Sequence, residues 1–232
     1  MAQVQPAVDA FINEVERIES RFNKKLSTAI NNLSELSDTE LINATSQLNL
    51  FNEIIEEGYG SALDRLDNEY AILLQKAIEE STKRGLTPLS GAGLQGLEVL
   101  RDLNTQVLLG EVRGYSDRLT SLLFQNLYTG LPPNQIVSSL SGTNLLTHQL
   151  NVATYTGIKT FDDSARYQVF KGQNVRWTYV GPLDDRTRDS CRNTIENEPP
   201  EGYTEKEILS KKVQTKFGTR GGFNCRHSWE VK

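Results

Sequence analysis

Apolar side chains recur at helical spacing through most of the first 171 residues. Successive members of the first stripe are three or four residues apart: Phe11, Val15, Ile18, Phe22, Leu26, Ile30 and Leu33. This stripe spans about six turns and predicts a long amphipathic helix. Only 37% of the chain is hydrophobic and the mean hydropathy is -0.47, values that favour elongated helices with narrow apolar faces.

Further stripes predict more helices. Ser37 and Glu40 fit a capping box, and a stripe from Leu41 through Ile55 follows it, with an interruption expected at Gly58. A Gly- and Pro-rich break covers residues 86–96. The next stripe comprises Leu97, Leu100, Leu103, Val107, Leu108, Val112, Tyr115, Leu119, Leu122, Leu123 and Leu127. Shorter helices are expected over 134–140 and 144–170.

The charge distribution limits the classes of partner. The net charge is -5. Residues 172–232 carry 11 Lys or Arg and 9 Asp or Glu, whereas residues 1–171 carry 14 and 21. An acidic helical body without basic clusters is expected to be a poor nonspecific DNA binder, because affinity for phosphates depends on basic residues. We also expect no sequence-specific nucleic-acid partner. No run approaches the roughly 18 apolar residues of a membrane span, and no secretory signal is recognised at the start.

The last quarter of the chain has a different composition. It contains both cysteines and both tryptophans of the chain. Residues 175–180 and 223–231 alternate in the manner of strands, and Trp177 and Trp229 are expected to form a small core between them. Asp184 or Asp185 is expected to cap a short helix that runs through Cys191.

These patterns predict the fold class and the domains. The fold is mainly α, with long antiparallel helices followed by a small C-terminal α+β module that has a short sheet. We place an elongated helical region at residues 1–142 and a C-terminal domain at 143–232. The α+β module begins at about residue 172 within that domain.

The chemistry of the two cysteines is open from sequence alone. Cys191, Cys225 and His227 are candidate zinc ligands, with Asp184, Asp185 or water as a fourth ligand. A disulfide between Cys191 and Cys225 and a pair of buried, packed thiols are the alternatives. A Cys225–His227 nucleophilic dyad would need an oxyanion site as well. We therefore assign no catalytic residue, no metal ligand and no cofactor.

The tail also resembles a known family in the order and spacing of its residues. The pattern is a strand with Trp, a Leu-Asp-x-x-Thr-Arg-x-x-Cys segment, a Tyr-Thr-x-x-Glu-Ile helix and a closing Gly-Gly-Phe-Asn-Cys-Arg-His. The matching positions are Trp177, Leu183, Asp184, Thr187, Arg188, Cys191, Tyr203, Thr204, Glu207, Ile208, Gly221, Gly222, Asn224, Cys225, Arg226 and His227. Over roughly residues 147–232 the chain resembles the C-terminal domain of tailed-phage minor head proteins, the phage Mu protein F-like or head-morphogenesis family.

The resemblance implies a structural protein of the virion rather than an enzyme. It implies a place in the head interior or at the portal vertex, synthesis in the host cytoplasm, and portal and capsid proteins as partners. Contact with packaged DNA is compatible with it, and the long helical stripes favour a homo-oligomer. Two alternatives remain: an internal protein ejected with the genome, and a nuclease or toxin-like effector that uses the Cys/His module.

Overall fold

The structure is mainly α-helical and ends in a small module with a two-stranded sheet, as the sequence predicts. The computed structural model describes residues 4–33, 36–37, 39–40, 43, 47–86, 89–141 and 145–232. The helices are α1 (Val4–Leu33), α2 (Leu50–Ile54), α3 (Gly60–Lys83), α4 (Gly91–Tyr128), α5 (Pro133–Ser141), α6 (Leu145–Phe170), α7 (Asp189–Glu196) and α8 (Glu205–Leu209). The strands are β1 (Trp177–Val180) and β2 (Ser228–Val231). Among the described residues, no helix combines the length and the apolar character that crossing a membrane requires.

The stripe predicted from Leu41 through Ile55 is not one continuous helix. Residues 47–49 are not helical, and Asn49 caps α2 by accepting a hydrogen bond at its side-chain oxygen from the Asn52 N–H, at 3.1 Å. The helix therefore begins at Leu50. Leu41 and Ala44 lie outside the described residues. Ser37 and Glu40 do interact as predicted, since the Ser37 N–H donates to the Glu40 carboxylate at 3.0 Å.

Gly58 produces the interruption that the sequence predicts between α2 and α3. Residues 55–59 form a π-type turn, and Gly58 within it has φ 115°. This left-handed conformation is open to glycine at little cost, because a Cβ atom would clash with the backbone. The helical direction therefore breaks there, and α3 starts afresh at Gly60.

The chain divides into two compact units that are interleaved along the sequence. One contains the beginning of α1 through Ala7, Asp67–Asn104 and Thr154–Lys232. The other contains Val8–Leu66 and Thr105–Ala153. We refer to them as the terminal unit and the central unit. The predicted domain boundary at residue 142 stays a prediction.

The central unit buries the apolar stripe of α1 from Phe11 through Ile30. Val15, Ile18 and Phe22 are at most 2% exposed. The buried Tyr59 hydroxyl donates to the Leu108 carbonyl at 3.2 Å. Glu19, also buried, accepts a hydrogen bond at 2.9 Å from the Thr147 hydroxyl, so this acidic side chain within the stripe has a polar partner.

The stripe predicted along α4 is only partly buried. Leu97, Leu108, Val112, Tyr115, Leu119 and Leu123 are buried as the spacing predicts. Leu103 and Val107, by contrast, are 52% and 54% exposed. The part of α4 up to Asn104 belongs to the terminal unit, and the part after it belongs to the central unit. Different helix positions are buried in the two parts. A single stripe drawn through the whole of this 38-residue helix therefore includes residues that face solvent.

A buried ion pair ties the C-terminal module to α6 within the terminal unit. Arg220 donates to the Asp163 carboxylate at 3.0 Å, and the two side chains are 1% and 0% exposed. The Lys159 ammonium group lies 3.7 Å from the other oxygen of the same carboxylate. Burial raises the pKa of Asp163 to about 6, against the opposing effect of Lys159 and Arg220. The carboxylate is therefore ionised at neutral pH.

The module core is aromatic. β1 and β2 pair antiparallel, with Tyr179 opposite Trp229. Trp177 and Trp229 are each 1% exposed, and Phe217 packs on both of them, with ring centroids 4.7 and 5.7 Å away. Both strands are shorter than the sequence predicts. The closing strand begins at Ser228 and leaves out residues 223–227, among which Asn224 adopts φ 53°, a value outside the extended range.

We expect loss of the Asp163 carboxylate to destabilise the protein strongly. Asp163→Asn keeps the side-chain shape but leaves Arg220 and Lys159 buried without their anion, a change that costs about 3 kcal/mol. Asp162→Asn is the matched control on the same helix, because Asp162 is partly exposed and its ion-pair distances are 3.7 Å. The control should cost less than about 1 kcal/mol. Urea unfolding at pH 7.5 measures both, and equal losses would contradict the importance of the buried pair.

Candidate functional site

Three residues that can ligate a soft metal meet inside the module. Cys191 is on α7, Cys225 is in the loop before β2, and His227 immediately precedes β2. The two Sγ atoms are 3.7 Å apart, and Cys225 Sγ is 3.8 Å from His227 Nδ1. All three ligand atoms lie within 4.8 Å of one another. The structure therefore brings together the three candidates that the sequence indicates.

Tyr179 completes this cluster from β1. Its hydroxyl lies 3.5 Å from Cys191 Sγ and 3.6 Å from Cys225 Sγ. Its ring stacks on the His227 imidazole, with centroids 5.4 Å apart and planes at 13°. Tyr179 is thus a hydroxyl placed between the two sulfurs, with burial raising its pKa above the usual value. The hydroxyl stays protonated at neutral pH.

Two glycines leave the space that the cluster occupies. A Cβ atom at Gly221 would overlap Cys191 Sγ, and one at Gly181 would overlap the imidazole ring of His227. Neither overlap falls on the end of a long flexible side chain. Backbone therefore approaches the thiol and the imidazole more closely than any other residue type would permit.

The electrostatic environment differs between the two thiols. Burial is the largest influence on both and raises the pKa of Cys191. At Cys225 burial is outweighed by hydrogen bonds from the His227 backbone N–H, the Tyr179 hydroxyl and the Gly221 backbone N–H, which together lower the pKa. Burial also lowers the pKa of His227, with opposition from the nearby Pro182 carbonyl. The Cys225 thiol is therefore easier to deprotonate than the Cys191 thiol, and burial favours the neutral imidazole of His227.

Neither Asp184 nor Asp185 caps the helix that contains Cys191, contrary to the prediction. The residue at the N-cap of α7 is Arg188, and its side chain makes no capping hydrogen bond. The Asp184 carboxylate instead binds Arg226 through two hydrogen bonds of 2.7 and 2.5 Å. This bidentate pair joins residues 42 positions apart, and it holds the pKa of Asp184 well below its usual range.

Other residues of the sequence pattern that resembles the phage family extend this connection between the loops 181–188 and 221–227. We call them family-pattern residues. The Thr187 hydroxyl donates to the Pro182 carbonyl at 2.8 Å and accepts from the Asp184 N–H at 2.9 Å. Arg188 donates to the Phe223 carbonyl at 2.7 Å. Asn224 takes its left-handed conformation and donates its N–H to the Thr156 hydroxyl on α6 at 3.3 Å. We call the contacts of Asp184, Thr187, Arg188 and Arg226 the loop clamp.

The geometry favours binding over nucleophilic catalysis. Cys191 and Cys225 are each 1% exposed and His227 is 2% exposed. A nucleophilic thiolate has to reach the substrate atom that it attacks, which burial of this degree prevents. The same burial suits a ligand set that encloses a small ion. The disulfide stays a prediction, and the structure contains both cysteines as free thiols.

Sequence reasoning missed several residues of the site. Tyr179 was predicted as a strand residue, and its alternation with Trp177 is the signal that both point into the module. Gly181 carried no signal beyond a turn. The sequence likewise contains no signal for the ion pair between Arg220 and Asp163, because 57 residues separate them.

The fold and the site together define a mainly α-helical protein with a C-terminal module built around a Cys2His cluster and an aromatic core. No family model, no curated protein and no solved structure matches this chain.

The loop clamp should contribute to stability in a pH-dependent way. At pH 7 we expect Asp184→Asn to lower the urea midpoint, whereas Asp185→Asn, a change of the adjacent exposed residue, should leave it unchanged. Since the pKa of Asp184 is depressed in the folded protein, its contribution is present above about pH 4. It is lost as the pH falls through the folded-state pKa. The difference in urea midpoint between wild type and Asp184→Asn should therefore become smaller in acid. A difference that grows in acid would refute the stabilising role of the loop clamp.

The clearance at Gly221 gives a second prediction. Gly221→Ala should destabilise the protein by about 2 kcal/mol, because its methyl group would displace the Cys191 sulfur from a packed site. Gly96→Ala is the control, since nothing lies within 4 Å of a Cβ atom there and the residue is in the interior of α4. The control should be neutral or stabilising by up to about 1 kcal/mol. Thermal and urea unfolding of both variants would show whether each substitution stabilises or destabilises the protein.

Proposed function

We propose that this chain is a structural minor head protein of a tailed bacteriophage. It acts in head morphogenesis near the portal, by packing against portal and capsid proteins and against copies of itself. The assignment to phage heads rests on the resemblance of residues 147–232 to the phage Mu protein F-like family. The physical features of the module support the structural character of this role.

The observation that carries the proposal is the use of the family-pattern residues within the loop clamp. Asp184, Thr187, Arg188 and Arg226 bond to one another or to backbone carbonyls of the two loops. Their charged and polar groups therefore hold two loops in a fixed relation. An enzyme would instead need such groups directed at a substrate in a cleft. A rigid pair of loops is what a docking module requires.

The same two loops carry exposed apolar side chains. Leu183, adjacent to Asp184, is 49% exposed, and Phe223, whose carbonyl accepts from Arg188, is 63% exposed. Each is thus held next to the loop clamp. Aromatic and large aliphatic side chains on a fixed backbone are typical anchors of protein–protein interfaces. They are the residues of the module that we expect to contact a partner in the head.

Counting the chain in virus particles tests the proposal. Quantitative mass spectrometry of proheads and mature particles from the source virus should find a low, fixed copy number relative to the major capsid protein. Presence in full particles and loss from particles emptied of DNA would instead favour the ejected internal protein. Absence from both proheads and mature particles would refute the structural role and return attention to an effector.

A matched pair of variants tests the docking surface in the same particles. The double variant Leu183→Ser, Phe223→Ser should be incorporated at least tenfold less than wild type, which corresponds to about 1.4 kcal/mol of interface free energy. Leu209→Ser is the control, because Leu209 is similarly exposed, at 54%, and lies on α8. Equal incorporation of all three chains would exclude these loops from the interface.

A further inference from the structure

We propose that Cys191, Cys225 and His227 bind one zinc ion, with the Tyr179 hydroxyl beside the fourth coordination position. The ion would serve as a structural link between α7, the loop before β2 and the start of β2. The inference rests on the geometry of the cluster. It does not depend on the proposed role in phage heads.

The separations between the ligand atoms are close to those of a tetrahedral zinc site. Arms of about 2.3 Å to sulfur and about 2.0 Å to nitrogen give a sulfur–sulfur edge of about 3.8 Å and a sulfur–nitrogen edge of about 3.5 Å. Here the two Sγ atoms are 3.7 Å apart, and Cys225 Sγ is 3.8 Å from His227 Nδ1. The remaining edge is within 4.8 Å, so a movement of about 1 Å completes the ligand face.

The imidazole is oriented for coordination through Nδ1. That nitrogen faces Cys225 Sγ, whereas the buried Nε2 makes no hydrogen bond to any described residue. A metal on Nδ1 fixes the proton on Nε2, and the Pro182 carbonyl is near enough to the ring to oppose the effect of burial on its pKa. Histidine ligands in metal sites usually donate their second N–H to such a carbonyl. The proposed ion thus accounts for the orientation of an otherwise poorly partnered buried ring.

The surroundings provide both space and hydrogen bonds for bound thiolates. Gly181 and Gly221 place backbone where any side chain would displace the imidazole or the Cys191 sulfur. The Tyr179 hydroxyl is nearly equidistant from the two sulfurs, at 3.5 and 3.6 Å. It can donate to one thiolate or supply oxygen at the fourth position. Binding releases the thiol protons to solvent.

A disulfide explains fewer of these features than a metal does. It would join the two sulfurs at about 2.05 Å and leave His227 as a buried imidazole with no role in the link. A metal uses all three groups at nearly their present separations. The module also has a structural need for such a link, because a domain of this size buries a limited core.

Metal binding by the full-length chain tests the proposal. The protein is purified under reducing conditions, stripped with a chelator and titrated with zinc alone against a chromophoric competitor. We expect one equivalent per chain and a higher melting temperature after loading. Cobalt(II) in place of zinc should give thiolate-to-metal charge-transfer bands and the strong visible absorption of a tetrahedral site. These readouts on wild type do not depend on the folding of any variant.

Variants identify the ligands. Cys191→Ser, Cys225→Ser and His227→Gln should each abolish the cobalt spectrum, whereas Ser228→Ala should keep it. Ser228 is the control because it is buried beside His227 and its hydroxyl makes no hydrogen bond to a described residue. Tyr179→Phe should weaken zinc binding by about 10- to 100-fold, the usual effect of losing an outer hydrogen bond to a metal site. Circular dichroism checks that each variant is folded.

Three results would overturn the proposal. The first is a reduced wild-type chain that takes up no zinc. The second is binding that persists in folded Cys191→Ser and Cys225→Ser variants. The third is a metal-free chain whose mass is lower by two hydrogens, which would identify a disulfide instead. Zinc binding by a chain that is absent from virus particles would leave this inference intact and refute only the proposed function.

Discussion

The C-terminal module depends on the burial of one ion pair, between Arg220 and Asp163. Arg220 has φ 48° and directly precedes Gly221, the residue that makes room for the Cys191 sulfur. Its guanidinium group is anchored on α6 through Asp163 and through the Thr160 hydroxyl. Burying Arg220, Asp163 and the adjacent Lys159 carries a large desolvation cost, which their mutual attraction and the Thr160 hydrogen bond offset. The loop that leads to Cys225 and His227 therefore starts from a point fixed by electrostatics.

Periodicity in the sequence was sufficient for the fold class but insufficient for individual packing. The stripe of α1 is buried from Phe11 through Ile30 as its spacing predicts, because one face of one helix packs within one unit. The stripe of α4 includes the exposed Leu103 and Val107, because spacing cannot tell which apolar face finds a partner. Likewise, the prediction that Asp184 or Asp185 caps α7 was wrong, and Asp184 shows why. Its stronger partner, Arg226, is 42 residues away, and a local pattern contains no information on that distance.

The candidate site was predictable in its members and unpredictable in its geometry. Cys191, Cys225 and His227 were named because thiols and imidazoles are rare and chemically distinctive. Their convergence depends on the pairing of β1 with β2 and on the position of α7, which are properties of the tertiary structure. The sequence does not identify Tyr179 and Gly181 as part of the site, because a buried tyrosine and a turn glycine resemble many others in sequence. Their importance comes from which atoms lie beside them.

The tripeptide Cys225-Arg226-His227 faces two environments at once. Its first and third side chains are buried against Tyr179, whereas Arg226 points to the half-exposed Asp184. Inserting or deleting a single residue between Gly221 and His227 would disturb the spacing by which Cys225 and His227 reach the cluster while Arg226 reaches Asp184. The length of this segment is therefore constrained more strictly than its composition, so substitutions at Phe223 should be tolerated by the fold where a change in residue number would not.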